Sequence, residues 1–227
     1  MMFIIVLLTI LLCPTVAFAW GPLTHIFLGN EIYSFAALIP PAVMELIRRH
    51  KEDFIYGNLM ADMILGKKYL PDEKSSHSWD MGIKLFEQAD TPSEKAFVYG
   101  YLCHLAADTV AHETLIVNKR PMSHTWIELK ADSLIDKVYW LHSVTISPAV
   151  QRRNDRFLEH TLESYIFSFK TNKRIYKSMV FLSLLNKRRK NGIDPRKVSC
   201  LHDESIVRMI DILQNHRDAF VLSKNPL

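Results

Sequence analysis

The chain has 227 residues, 48% of them hydrophobic and only 7 of them glycine, and its formal net charge at pH 7 is +4. This length allows one sizeable hydrophobic core, and the net charge is modest. The sequence shows no alternating strand pattern and no internal repeat, which excludes sheet-based and repeat folds and predicts an all-α protein.

The first 19 residues form an apolar leader without charged side chains, and the leader ends in Ala-Phe-Ala. A small-x-small ending is typical of a signal peptidase site, here between Ala19 and Trp20. The apolar core of the leader, Phe3 to Leu12, is too short for a membrane-spanning helix. We therefore expect a signal peptide over residues 1–19 and a single helical domain over residues 20–227 in a secreted or periplasmic protein.

The mature chain would open with the segment from Trp20 to His25, which leads into a predicted helix that runs to about Leu38. Cleavage would leave Trp20 with a free α-amino group, whose pKa near 8 makes the nitrogen an available metal ligand. The Trp20 carbonyl could complete a chelate. The alternative is a tryptophan that only packs its indole, with His25 as a surface cap.

The next part of the chain contributes two further polar residues, Asp62 and His77. Predicted helices cover residues 42–51 and 79–89, the first after the prolines at 40 and 41. Between them, Asp62 stands in a mostly apolar segment, and a buried carboxylate needs a cation or hydrogen bonds. A polar loop over residues 67–76 then leads to His77.

A long run with helical periodicity, Ala96 to Ile116, contains His104, Asp108 and His112 at four-residue spacing. At 3.6 residues per turn they rotate about 40° per step and share one helix face, but the outer two lie roughly 12 Å apart along the axis. One ion with ligand bonds of about 2 Å cannot reach both histidines. The spacing favours a metal cluster, with His104 and Asp108 on one ion and His112 on another. The alternative is that each is a satisfied core residue.

Beyond this helix, His124 and Glu128 repeat the four-residue relation, and Asp132 continues the row. The pair could complete the site that His112 begins, although an ordinary surface pair is the alternative. The C-terminal part, residues 147–227, is predicted to cover the metal-bearing helices with helices over 154–169, 172–186 and 203–222. Packing or surface roles are predicted for the remaining lone histidines, His142, His160, His202 and His216.

Two features of the chain leave alternatives open. Basic residues concentrate between Lys170 and Lys197, which is typical of a solvated face; contact with an anionic membrane surface or a nucleic acid is the functional alternative. Cys103 and Cys200 remain in the mature chain, and either a disulfide or two buried thiols fit the sequence.

The polar residues taken together resemble the nine-ligand set of the zinc-dependent phospholipase C family, whose distant relatives are single-strand-specific zinc nucleases. The matching residues are Trp20, His25, Asp62, His77, His104, Asp108, His112, His124 and Glu128. The resemblance spans roughly residues 20–128, and it implies an all-helical globule that holds three zinc ions in a cleft.

The resemblance also implies how the nine ligands divide among three zinc ions. The first ion would be held by Asp62, His77, His104 and Asp108. The second would be held by the amino and carbonyl groups of Trp20, His25 and a bridging Asp108. The third would be held by His112, His124 and Glu128. Three zinc ions facing three carboxylates leave an excess of roughly +3 for hydroxide and a phosphodiester anion.

The implied activity is hydrolysis of the phosphodiester bond of phospholipids by a hydroxide shared between zinc ions, with Asp62 as the candidate general base. Three residues separate Asp108 from His112, whereas the better-known members have five. Glu128 stands where the nucleases have aspartate, which favours the phospholipase branch. The positions of the choline-binding box hold Leu23, Met63 and Lys74, so we do not assume phosphatidylcholine as the substrate.

Two other functions are compatible with the sequence. A zinc-dependent nuclease would need an aromatic side chain to stack on bases near the zinc ions, and Trp79 and Trp126 are the candidates. A non-catalytic zinc-binding or membrane-surface module would use the metals for folding alone.

Overall fold

The computed structural model describes residues 20–62, 75–114, 127, 130–139, 145–162, 169–174 and 194–226. Within these ranges the regular structure is α-helix and 3-10 helix, and no β-strand occurs. The helices enclose one hydrophobic core. The prediction of an all-α, single-domain protein is therefore confirmed. None of the described helices combines the length and apolar character that a membrane crossing requires.

The N-terminal part consists of three α-helices and one 3-10 helix. These are α1 (Pro22–Glu31), a 3-10 helix (Ile32–Leu38), α2 (Pro41–Arg49) and α3 (Lys51–Met60). The first predicted helix therefore reaches Leu38 as expected but changes to 3-10 winding after Glu31. Prolines begin both α1 and α2, because the fixed φ of proline suits the first turn of a helix.

The central part consists of α4 (Trp79–Gln88) and the long helix α5 (Pro92–Thr114). The predicted central helix began at residue 96, but α5 begins a turn earlier because a capping box precedes it. The Glu94 N–H donates to Thr91 Oγ1 at 3.2 Å, and the Thr91 N–H donates to Glu94 Oε2 at 2.9 Å. The turn of α5 that starts at Pro92 is therefore stabilised by polar contacts rather than by apolar periodicity.

The C-terminal part contains α6 (Pro148–Thr161) and α7 (Pro195–Asn215), followed by short 3-10 helices at His216–Asp218 and Phe220–Ser223. The predicted helix boundaries, 154–169 and 203–222, were wrong, because both helices begin and end earlier in the chain. Ser147 and Asp194 cap the two helices by accepting a backbone N–H from the first turn, and a proline follows each cap. The predicted helix over 172–186 lies mostly outside the described residues.

Helix α5 runs through the middle of the protein, and its residues from Ala96 to Ala111 are buried. Helices α3 and α7 make the most extensive packing against it. The C-terminal part therefore covers the central helix, as the sequence predicted.

The two described cysteines are both free, so the structure contains no disulfide between them. Cys103 is buried, and burial raises the pKa of its thiol well above the usual value. Cys200 is exposed on α7. Neither alternative from the sequence holds in full, since the thiols are unpaired but only one of them is buried.

Candidate metal centre

The site forms where α3 and α5 cross with their backbones in contact. A Cβ built on Gly57 of α3 would clash with the Phe97 carbonyl of α5, and a Cβ on Gly100 of α5 would clash with the Phe54 carbonyl of α3. Only glycine permits this approach from both sides. The crossing brings the Asn58 carbonyl on α3 close to the His104 side chain on α5.

His104 is oriented by this contact. Its Nδ1 lies 2.8 Å from the Asn58 carbonyl oxygen, which can only accept a hydrogen bond, so Nδ1 is the protonated nitrogen. In the neutral ring the lone pair is therefore on Nε2, which faces the buried carboxylates of Asp62 and Asp108 at 3.7 and 3.2 Å. A backbone acceptor on the far nitrogen is the usual partner of a metal-ligating histidine.

The carboxylate of Asp108 has a different set of neighbours on each oxygen. Its Oδ2 lies 2.7 Å from His77 Nε2 and 3.2 Å from His104 Nε2. Its Oδ1 lies 3.1 Å from His25 Nε2 and accepts the Trp20 backbone N–H at 3.1 Å. Asp108 therefore joins two groups of nitrogen atoms through one buried side chain.

The first group of ligand atoms is completed by Asp62, which follows the end of α3. Asp62 Oδ1 lies 3.6 Å from His77 Nε2, and the two histidine Nε2 atoms lie 3.1 Å apart. Ligand atoms at the corners of a tetrahedron around zinc are about 3.3 Å apart when the bonds are about 2.0 Å. The separations in this group, 2.7 to 3.7 Å, suit that geometry.

His25 gives a second indication that the site fits a cation. His25, Asp62, His104 and Asp108 are all buried, and one potential ligand atom from each lies within 4.8 Å of the others. The His25 ring stacks on His104 with centroids 3.7 Å apart, and neither of its nitrogens makes a hydrogen bond with good geometry. A buried imidazole without hydrogen bonds is costly, and a metal ion would satisfy it.

The charges of the cluster are those of a site that attracts cations. Burial disfavours a charged His104, but the charges of Asp108 and Asp62 raise its pKa to about 10. The pKa of Asp108 is held well below its usual value by His25 and His104, although burial opposes this. Burial lowers the pKa of His25. The carboxylates therefore retain a proton on His104 where zinc would otherwise supply the positive charge.

The remaining predicted ligands are only partly described. His112 lies on α5, and its ring centroid is 6.5 Å from that of His77 in an edge-to-face arrangement. His124 and Glu128 lie outside the described residues, as do Met63, Lys74 and Trp126. The composition of the predicted third zinc site therefore stays a prediction.

Trp20 is held by contacts that the sequence did not reveal. Its indole Nε1 lies 3.0 Å from the Ala107 carbonyl of α5 and 3.1 Å from Ser205 Oγ of α7. The ring of His202 packs against the indole with centroids 4.9 Å apart, so the lone His202 has a packing role. Burial lowers the pKa of His202 to about 4.

Asp132 also has a role that its spacing did not indicate. Rather than standing on a helix surface, it is fully buried and accepts hydrogen bonds from the first turn of α1. Burial raises its pKa to about 6, although the hydrogen bonds from Thr24 and Leu23 favour the charged form. No local spacing could find this contact or those of Asn58 and Ser205, because the partners are distant in the sequence.

Comparison with known proteins gives one informative match. Residues 24–178 match the model of a family described as zinc dependent phospholipase C. The matched range includes all eight predicted side-chain ligands, from His25 to Glu128, and begins after Trp20. Searches of the curated proteins and of the solved structures give no significant match.

Proposed function

We infer that this chain, which belongs to the zinc-dependent phospholipase C family, is a zinc-dependent hydrolase of phosphodiester bonds whose substrates are phospholipids. The observation that most supports this inference is the buried Asp108 carboxylate, which has two histidine nitrogens near one oxygen and His25 and Trp20 near the other. A carboxylate in this position is suited to bridge two metal ions.

We propose three zinc-binding groups. The first would contain Asp62, His77, His104 and Asp108, and the second would contain Trp20, His25 and Asp108. The third, which rests on the family resemblance, would contain His112, His124 and Glu128. Bound zinc would supply an acidified water and positive charge for a phosphate anion.

The residues of the chain would orient the reaction and exclude bulk water. Asn58 fixes the tautomer of His104, and the tight crossing of α3 and α5 fixes its ring. Asp62 is the candidate proton acceptor because its carboxylate is buried beside His77 and His104. Burial of the whole group lowers the local dielectric and strengthens each charge interaction.

We further propose that the leader is removed between Ala19 and Trp20. The Trp20 nitrogen lies 3.1 Å from Asp108 Oδ1 and is buried, so a free amine at this position would become a nitrogen ligand. The same leader would direct export to the periplasm or the medium before it is removed. Intact mass spectrometry of the exported protein tests this proposal. The mass of a chain that begins upstream of Trp20 would contradict it.

The test of the activity is hydrolysis of two substrates by the zinc-loaded protein. Vesicles of mixed phospholipids should yield diacylglycerol, whereas single-stranded DNA should not yield nucleotides. Release of nucleotides without diacylglycerol would replace the proposal with the nuclease. Trp79 gives no support to that alternative, since its indole Nε1 donates to the Lys224 carbonyl at 2.7 Å in a packed position.

A pair of variants separates catalysis from a purely structural use of zinc. Asp62→Asn should lower kcat/KM on phospholipid vesicles by at least about 100-fold, which is the lower range for loss of a general base. The matched variant Asp80→Asn removes an exposed carboxylate in the first turn of α4 and should keep full activity. A wild-type protein that binds zinc but hydrolyses neither substrate would favour the non-catalytic module.

A further inference from the structure

Helix α1 begins at the residues that would form the second zinc site, yet its own N-cap residue cannot cap it. The N-cap is Gly21, which has no side chain to accept the free N–H groups of the first turn. Asp132, far away in the sequence, provides the acceptors instead. Its Oδ2 accepts the Leu23 N–H at 3.1 Å, and its Oδ1 accepts the Thr24 N–H at 2.9 Å and the Thr24 hydroxyl at 2.8 Å.

This contact is both close and buried. The Asp132 side chain is fully inaccessible to solvent, and a Cβ built on Gly21 would clash with its carboxylate. Glycine is therefore needed at position 21 for the carboxylate to approach the helix end. The negative charge also lies at the positive end of the helix dipole, which strengthens the three hydrogen bonds.

The capped turn lies between the two residues that contact Asp108 Oδ1. Trp20 immediately precedes Gly21, and His25 immediately follows Thr24, whose N–H and hydroxyl are held by Asp132. Trp20 N and His25 Nε2 are both 3.1 Å from the same carboxylate oxygen. A shift of the α1 end would therefore move both nitrogens away from Asp108 together.

We propose that Asp132 is a positioning residue that holds Trp20 and His25 together as a pair and so sets the zinc affinity of the second site. The inference rests on the zinc binding of the proposed function but not on its substrate. It is specific to one site, because Asp62, His77 and His104 are placed by α3, the segment before α4, and α5. The three hydrogen bonds that Asp132 accepts all come from α1 and none from these elements.

The test is the zinc content of the full chain, expressed with its leader and carrying Asp132→Asn, measured by native mass spectrometry with intact mass to establish the N-terminus. An asparagine keeps the shape but replaces one acceptor oxygen with an NH₂ group. Zinc affinity at one site should fall by about 10- to 100-fold, which is typical for loss of a partner that orients metal ligands. At limiting free zinc the variant should hold one ion fewer than the wild type.

Asp53→Asn is the matched control. Asp53 is also a buried carboxylate, with hydrogen bonds from Arg153 Nε at 2.9 Å and Asn154 Nδ2 at 2.6 Å, but these lie in the packing of α3 on α6. This variant should lose stability and keep its zinc. Equal zinc loss in the two variants, or wild-type zinc affinity in Asp132→Asn, would overturn the proposal.

A second variant covers the case in which Asp132→Asn does not fold. Thr24→Val preserves the shape and the carboxylate and removes one of the three donors, so the same zinc site should weaken by a smaller factor. Wild-type affinity in that variant, when Asp132→Asn is unfolded, would overturn the proposal. The test counts zinc directly and does not depend on activity. A wild-type protein that binds zinc but hydrolyses no phosphodiester would therefore refute the proposed function and leave the proposal for Asp132 intact.

Discussion

Two buried aspartates of this protein have opposite electrostatic surroundings. Asp53 on α3 faces the guanidinium of Arg153 in a two-pronged ion pair and also accepts from Asn154. Asp108 on α5 faces histidines and a backbone N–H. Arginine is a permanent cation, whereas imidazole gains or loses its charge near neutral pH, where its usual pKa lies.

The difference shows what each site needs. The Asp53 carboxylate is neutralised by the chain itself, so it can serve packing alone. The Asp108 carboxylate is neutralised when the nearby imidazoles or a free Trp20 amine hold protons, or when a cation binds, and the same nitrogens that would hold a proton are good zinc ligands. The buried carboxylate of Asp108 among histidines is therefore the part of this core that indicates a metal-binding role.

The largest expected effect comes from removing the charge at Asp108. Asp108→Asn should lower kcat/KM on phospholipid vesicles by more than about 100-fold, since even partners that only orient metal ligands are worth about 10- to 100-fold. Native mass spectrometry should show loss of zinc from both sites that share this side chain. Wild-type zinc content with normal turnover would remove the proposed bridging role.

The reverse pattern is expected at the other aspartate. Asp53→Asn should lower the free energy of unfolding by about 1–3 kcal/mol, less than for a fully buried pair, because the Arg153 side chain is 45% exposed. Urea unfolding measures this loss, and kcat/KM should stay within about twofold of the wild type. A large loss of activity in this variant would erase the contrast between the two sites.

Gly100→Ala tests whether the helix crossing positions the metal site. The added methyl group would meet the Phe54 carbonyl, so α3 and α5 must separate, at a cost of about 1–3 kcal/mol partly offset by about 1 kcal/mol of helix propensity. Zinc affinity should fall with stability, because the Asn58 carbonyl would leave His104 Nδ1. As a control, Gly29→Ala meets only side chains, the nearest at 3.2 Å, and should have a smaller effect on both.

The last effect, which concerns the zinc-free protein and not its turnover, is a pH dependence of stability. The pKa of His104 is raised from its usual value near 6.5 to about 10 in the folded state, so its proton stabilises the fold fully below pH 6.5. That stabilisation is lost as the pH rises toward 10. Urea unfolding with a chelator should therefore show a loss of about 1 kcal/mol or more between pH 7 and 10.

Zinc-loaded protein should lose less stability over the same range, because the ion takes the place of the proton. The ion pair of Asp53 with Arg153 should not contribute to this pH dependence. The hydrogen bond to Asp53 raises the pKa of Arg153 above its already high usual value, so Arg153 keeps its charge over the whole range. Parallel loss in the loaded and chelated forms would show that His104 does not couple protonation to zinc binding.

Most of the helices were predictable from the sequence, because apolar periodicity and proline or capping residues act over a few positions. Helix α5 and the shared face of His104 and Asp108 follow from this local rule. The starts of α6 and α7 were misplaced because Ser147 and Asp194 were not interpreted as N-caps. The structure brings together His25, Asp62, His104 and Asp108, which the spacing and the family resemblance had selected, and their role as ligands stays a prediction.

The amino-acid sequence by itself determined the helical class and the shared face of His104, Asp108 and His112 on one helix, since these depend on short-range spacing, and it carried the similarity to a zinc-dependent family. Only the tertiary structure decided which oxygen of Asp108 faces which nitrogens, and that Asn58, Ser205 and Asp132 hold the surrounding groups in place. Those contacts join residues as much as 185 positions apart, so they exist only after the helices have packed.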